Sequence, residues 1–335
     1  MLSPVALTND RTASSTILEI RPRAQTVAEQ SPHVVVLRDR IVEIAAQFEA
    51  PPGPAGIGVL LDPDLQYLGH GPATVAYIVT LGALRFGSGY HPRLAKRSGF
   101  SVGQSLVASL TARFEARGPF EANELIKVTT EDCAELFGQN LSDSVQGELM
   151  DLYSRALRDL GRMLCEQYAG NFTALVDSAD GSAVRLVDTL AQVPYFADVQ
   201  RYRGLEVPFF LRSQRIAIDL AQAFLLEGPG HFTDLDKLAP SADNAIAHVL
   251  RMDSVLRYDR GLAERIDRGE PVPAHSEREV EIRAAAIHGV EILRKEVAKT
   301  HPEVTSLHID TWLRARGRAP SYRAKPRHRS RTVLY

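Results

Sequence analysis

Asp243, Asn244 and His248 stand in the stretch SADNAIAHVLR, Ser241 to Arg251, where Ala242, Ile246, Val249 and Leu250 recur at helical spacing. A carboxylate, an amide and an imidazole among small apolar residues are either a solvated edge or the polar floor of a pocket. His288 and Glu291, three apart in another helical pattern, lack both the HExxH spacing and a third converging ligand, so no metal centre is expected. Cys133 and Cys165 lie 32 residues apart with no CxxC or Cys/His spacing. That argues against zinc and against a disulfide framework, and it fits a reducing cytoplasm. A formal charge of −2 over 335 residues excludes a global attraction to nucleic acid or to an anionic membrane. Charge is uneven locally, because Leu313 to Tyr335 carries eight Arg or Lys residues and no acid. This segment is either a solvated, self-pairing stretch docked on an acidic face, or a phosphate-contacting one.

The elements that must position these groups read as helices. Residues 1–30 are polar and show no sustained period, so a loose arm is expected there, followed by one large helical domain over 31–335 that includes the basic tail 313–335. Val36, Ile41, Ile44, Ala45 and Phe48 approximate helical spacing, and PPGPAG ends that element. In ATVAYIVTLGALRFGSGYHPRL an apolar helix delivers its end to a tight loop at Gly87 and Gly89. Helical runs follow at SVGQSLVASLTARFEARG, GPFEANELIKV, Ser144 to Leu164, DGSAVRLVDTLAQVPYF and SQRIAIDLAQAFLLEG. In SEREVEIRAAAIHGVEILRKEVAK, Ser276 and Glu279 predict a capping box, and Val280, Ala284, Ile287, Val290 and Leu293 a buried stripe. Only VVVL and LEVPFFL read as strands, so the fold class is mainly α. No charged leader with an apolar core opens the sequence, and no run reaches the roughly 18 apolar residues of a membrane span, so neither export nor embedding is expected.

Several phrases occur together in order: RFGSGYHPRLAKRSG, Phe137-Gly138-Gln139, Gly181-Ser182-Ala183, VPFFLRSQ, ADNAIAHVLRMDSVLRYD, EVEIRAAAIHGVEIL and PRHRSRTVLY. In this combination, from about His33 to Tyr335, the chain resembles the queuosine salvage family, whose members resemble queuosine 5′-phosphate N-glycosidases. The resemblance implies an all-helical fold similar to helical DNA glycosylases. It also implies hydrolysis of the bond between a 7-deazaguanine base and ribose 5-phosphate, with no metal or redox cofactor. The expected partner is a small-molecule nucleotide, with no membrane and no direct nucleic acid.

On this resemblance Asp243 matches the family's active-site aspartate, a carboxylate suited to stabilising positive charge on the sugar. Asn244 and His248 belong to the same phrase and are expected beside it. Phe86, Tyr90 and Phe209 or Phe210 are candidates to clamp the base, and Ser88 with the amides around Gly87 and Gly89 to hold a phosphate or ribose oxygen. Arg212 is a candidate phosphate partner, and Glu281 a partner for the secondary amine of queuine; pairing of Glu281 with Arg278 or Arg283 is the alternative. The chain departs from the family pattern at Leu211, where a lysine is usual, and at Gly82 and Arg85, where the family tends to aspartate and asparagine. Ser241 and Ala247 also differ. Asp243 is then expected to be either protonated or partnered by another cation, Arg212 or Arg215, or Arg85 where that side chain enters the pocket. A binding-only descendant and an RNA-contacting helical protein are the competing functions.

Overall fold

The computed structural model describes residues 17–52 and 61–335, and within them the chain is mainly helical. Its helices are α1 (Ile20–Gln30), α2 (Arg38–Ala45), α3 (Pro72–Leu84), α4 (Val102–Arg117), α5 (Ala122–Lys127), α6 (Thr130–Phe137) and α7 (Ser144–Tyr168). They continue as α8 (Phe172–Asp177), α9 (Ala183–Leu190), α10 (Leu211–Ala223), α11 (Asn244–Met252), α12 (Arg260–Asp267), α13 (Glu277–Val297) and α14 (Ser306–Arg316). Among the described residues, four short strands make two antiparallel pairs: β1 (Val34–Val36) with β4 (Leu256–Tyr258), and β2 (Val199–Tyr202) with β3 (Leu205–Pro208). Both sequence runs that read as strands are strands. The β2–β3 hairpin turns through Arg203 and Gly204, both at positive φ, the geometry that a two-residue turn between twisted strands requires.

Two large apolar clusters organise the described residues, with a small third one at Leu211, Leu334 and Tyr335. In the larger, α3 is apolar on every face and buried from Thr74 to Leu84, as expected of a helix enclosed by others. It lies against α4, α7, α8 and α10. Helix α7 turns one stripe inward, through Leu149, Tyr153, Leu157, Leu160 and Leu164. The second cluster gathers α2, α11, α12, α13 and α14 with the β1–β4 pair. Every residue of the predicted α13 stripe is buried there or in the larger cluster. Ser276 caps α13 as expected, but the Glu279 carboxylate accepts the His275 N–H instead of closing the box on Ser276.

The N-terminal expectation is corrected. From Ile17 onward the supposed loose arm is ordered, and α1 packs along α13 with Ile17, Ile20, Ala24 and Val27 buried. Their three- and four-residue spacing is a short apolar stripe, diluted by the charged residues between them. Residues 1–16 and most of PPGPAG lie outside the described residues. The expected α10 run to Gly228 stops at Ala223, since Leu225 and Leu226 take left-handed backbone conformations.

The basic tail is not a free arm. After α14 it crosses the surface as a strap whose residues His328, Ser330, Thr332, Leu334 and Tyr335 are buried. The Val272 N–H donates to the Arg329 carbonyl at 2.8 Å and the Gly87 N–H to the Tyr335 main-chain oxygen at 3.0 Å. No helix among the described residues is long and apolar enough to cross a membrane.

Candidate functional site

Asp243 sits where the two clusters meet: Ala242 belongs to the larger and Ile246 to the other. Its backbone is extended and its side chain caps α11, with Oδ1 accepting the Ala245 and Ile246 N–H groups at 2.9 Å each. The other oxygen, Oδ2, accepts from Nη2 of Arg314 at 2.7 Å. Arg314 also donates from Nε to Asp310 Oδ2 at 2.9 Å. Asp310 in turn accepts from the Ser241 N–H at 3.2 Å and hydroxyl at 3.1 Å. One planar guanidinium thus spans two carboxylates, which a lysine ammonium does less well. Burial raises the Asp243 pKa, yet the Arg314 charge and the helix-end amides outweigh it and hold the group below the ordinary carboxylate range. Arg314, despite its own burial, is held firmly cationic by Asp243 and Asp310.

Asp243 opens on a cavity of about 540 Å³. One wall comes from the α3 end and α10, with Arg85, Leu211, Arg212 and Arg215. The opposite wall is α14 and the tail, with Arg314, Arg318, Arg323, Arg327 and Tyr335. Seven arginines therefore face one space. Arg215 and Arg85 both pair with Asp219, the former at 2.7 Å. Arg212 is 4% exposed, donates from Nη1 to the Ala83 carbonyl at 2.8 Å, and has no partner for Nη2 among the described residues. Its guanidinium lies 4.9 Å from the ring centroids of both Phe86 and Phe196, and burial draws its pKa down to about 10, still cationic at neutral pH. An apolar slot of about 290 Å³ shares Arg85, Ser88 and Tyr335 with this cavity and is lined further by Phe86, Phe137 and Tyr153. Phe86 meets Tyr153 edge-on, with centroids 5.0 Å apart.

The model of the queuosine salvage protein family matches residues 65–335 of the chain, which include every element of both walls. The chain belongs to this family. It is 34% identical over 329 residues to the queuosine 5′-phosphate N-glycosylase/hydrolase of Sphaerobacter thermophilus, covering 95% of this chain and 98% of the relative. It is 34% identical over 217 residues to the protein of that name from Dictyostelium discoideum, covering 64% of this chain and 66% of the relative. The Bos taurus protein of that name is 28% identical over 198 residues, covering 56% and 58%.

In this member of the queuosine salvage family, Asp243, Asn244, Ser88 and Arg212 converge on the cavity and Phe86 on the adjoining slot. Asn244 Nδ2 donates to Ser88 Oγ at 3.1 Å and to the His328 carbonyl at 3.3 Å, tying helix, loop and tail together. Four expected contacts lie elsewhere. His248 bonds the Tyr322 carbonyl at 2.7 Å and is off the cavity wall, because five residues along a helix turn a side chain by about 140° from its start. Tyr90 donates to Glu148 at 2.8 Å and fastens its loop to α7. Phe210 is a buried core residue at the start of α10, off both cavity and slot. Glu281 is wholly buried, accepting from Ser31 Oγ at 2.8 Å and Tyr202 OH at 3.0 Å and contacting His33 Nδ1 at 2.9 Å. Neither Arg278 nor Arg283 is its partner; Arg283 pairs with Asp198 at 2.6 Å.

The glycine loop also does something other than cradle an anion. The Gly87 amide is taken by Tyr335, and a Cβ at Gly89 would stand 2.3 Å from the Ser330 carbonyl oxygen, so the glycine lets the tail pass. Glu291 accepts from Arg21 at 2.8 Å and from the Ser306 hydroxyl at 2.6 Å. Arg314 was the residue sequence reasoning missed as the partner of Asp243. Its one signal is the i, i+4 spacing from Asp310 at the head of the basic tail.

Proposed function

We propose that the chain hydrolyses the N-glycosidic bond of queuosine 5′-phosphate, or of a closely related 7-deazapurine nucleotide, and releases the base. The observation that carries this reading is Asp243, a carboxylate kept ionised by Arg314 and by the amino end of α11, open to a cavity walled with arginine. As the bond from the base nitrogen to C1′ breaks, its electron pair leaves with the base and positive charge grows on the sugar. A fixed anion beside C1′ stabilises that charge; water then adds to C1′, and the proton it loses ends on the base nitrogen that took the electron pair.

The hydrogen bonds favour a particular role for the carboxylate. Oδ1 already accepts two N–H groups and Oδ2 a guanidinium, and a lowered pKa makes a weak base. Asp243 therefore acts through its charge more than by taking a proton. On the α10 side, Arg212, with its unpartnered Nη2, and Arg215 hold the 5′-phosphate. The slot beside Phe86 and Tyr153 receives the base.

Leu211 leaves no ammonium on the wall, and that favoured a binding-only descendant; Arg314 beside Asp243 supports catalysis instead. The docked tail supports a free nucleotide, not RNA, as the substrate. The cytoplasm suits the two free thiols, Cys133 and Cys165. The test is chromatographic: purified chain releases queuine from queuosine 5′-phosphate, and Asp243→Ala releases none. Absence of turnover across a panel of 7-deazapurine nucleotides overturns the proposal.

A further inference from the structure

The tail contributes basic residues to the protein in two ways. Arg314, Arg316, Lys325 and Arg331 each face an acid, namely Asp243 with Asp310, Asp253, Asp267 and Glu148. Arg318, Arg323 and Arg327 are exposed, line the cavity, and have no ion-pair partner among the described residues. Arg329 also lacks such a partner, but it is not on the cavity wall. The three rim arginines are not carried on a loose arm. Arg318 follows α14 directly, and Arg327 precedes His328, whose carbonyl is held by Asn244 at 3.3 Å.

The cavity thus has two tiers of positive charge. Within the inner tier, Arg85, Arg215 and Arg314 are neutralised by Asp219, Asp243 and Asp310, leaving the buried Arg212 with one unsatisfied nitrogen. The outer tier is uncompensated. One phosphomonoester held by the inner wall leaves three guanidinium forks at the mouth with nothing to bind, in a cleft that concentrates their field.

We infer that the mouth of the cavity, at Arg318, Arg323 and Arg327, is a second phosphate subsite, so that the preferred ligand is a nucleotide bearing a further phosphate beyond the one on the inner wall. The inference rests on the nucleotide reading of this cavity. The same chemistry arises from a 5′-diphosphate or from a 3′,5′-bisphosphate, and binding measurements separate the two.

The probes are queuosine 5′-phosphate, queuosine 5′-diphosphate and queuosine 3′,5′-bisphosphate. They are titrated calorimetrically at low salt into an Asp243→Asn chain, which keeps the helix cap and leaves the ligands uncleaved. One of the two doubly phosphorylated nucleotides binds at least tenfold more tightly than the monophosphate, and its identity gives the direction of the subsite. Adding Arg323→Ala and Arg327→Ala removes that gain, lowering affinity for the doubly phosphorylated nucleotide at least tenfold more than affinity for the monophosphate, with thermal unfolding unaltered. The gain also shrinks in 0.5 M salt, because the forks are exposed. Equal affinities for all three nucleotides overturn the inference and leave the hydrolase reading standing, as does an equal loss for all three in the arginine variant. Failure of the unaltered chain to release queuine overturns the hydrolase reading, whichever nucleotide binds best. No binding of any of the three overturns both.

Discussion

Replacing Arg314 by methionine removes the one cation among the described residues that pairs with Asp243, while keeping most of the side-chain volume. The structure gives two consequences of different size. Asp310 is 1% exposed and would keep only the Ser241 N–H and hydroxyl, so a buried carboxylate loses its charge partner. Removing one member of such a pair costs about 3 kcal/mol, read as a lower urea midpoint at unchanged slope. Asp243 keeps its two amide bonds but loses the charge that outweighs its burial, so its pKa rises. In the unaltered chain that pKa lies below the ordinary 3.8, so the stability Asp243 contributes is present above pH 3.8 and is lost as pH falls through the folded value. Activity that requires the ionised group follows the same folded pKa on its acid side. In Arg314→Met the acid limb of kcat/KM for queuine release moves to higher pH, and the plateau falls by on the order of a hundredfold, the scale of losing one preorganised charge contact. Arg314→Lys restores part of the plateau, since the charge returns without the fork that reaches both carboxylates. An Arg314→Met chain that folds, with unchanged plateau and unchanged acid limb, refutes the assignment of Arg314 as the partner that keeps Asp243 ionised.

Three further outcomes are expected. Asp243→Asn retains the α11 cap but gives up the ion pair with Arg314, and Asp243→Ala gives up the cap as well at about 1 kcal/mol more; both abolish queuine release, and residual turnover in the asparagine variant counts against an essential charge. Glu281→Gln leaves the Ser31 and Tyr202 hydroxyls facing an uncharged amide and lowers stability by about 2 kcal/mol, but kcat and KM stay within twofold; a selective rise in KM would return Glu281 to the substrate. Gly89→Ala pushes the tail off the loop, costing about 2 kcal/mol and raising KM, and an unchanged unfolding midpoint would show that the strap is not gripped there.

The fold was legible wherever one helix carried its own instruction. The α13 stripe, the apolar α3 and the Ser276 cap all follow from spacing and residue type within a single segment. Helix α1 was not legible, because its stripe of Ile20, Ala24 and Val27 is narrow and its burial depends on α13, more than 250 residues away. The site divides in the same way. Asp243, Asn244 and Ser88 are set by local phrases, and they converge. Glu281, His248 and Tyr90 belong to equally suggestive phrases, yet Tyr202, the Tyr322 carbonyl and Glu148 claim them, and those partners are distant in sequence. Arg314 went unread for the complementary reason, since within its own segment it is one of eight basic residues.

The three positions near the cavity that are expected to depart from the family pattern, Gly82, Arg85 and Leu211, lie close to α10 and the strap. A side chain at Gly82 would collide with Ile216, whose Cγ1 lies 2.3 Å from the position of its Cβ, so α10 fills the space beside this glycine. One turn on, Arg85 pairs with Asp219 of α10, and Leu211 packs with Leu334 and Tyr335 of the strap. A lysine returned to position 211 would stand beside Arg212 and Arg215 and would displace part of the strap, while Asp243 already has its cation. Leu211→Lys is therefore expected to leave kcat unchanged or lower it, and a tenfold gain in queuine release would show that Arg314 does not do the work of the missing lysine.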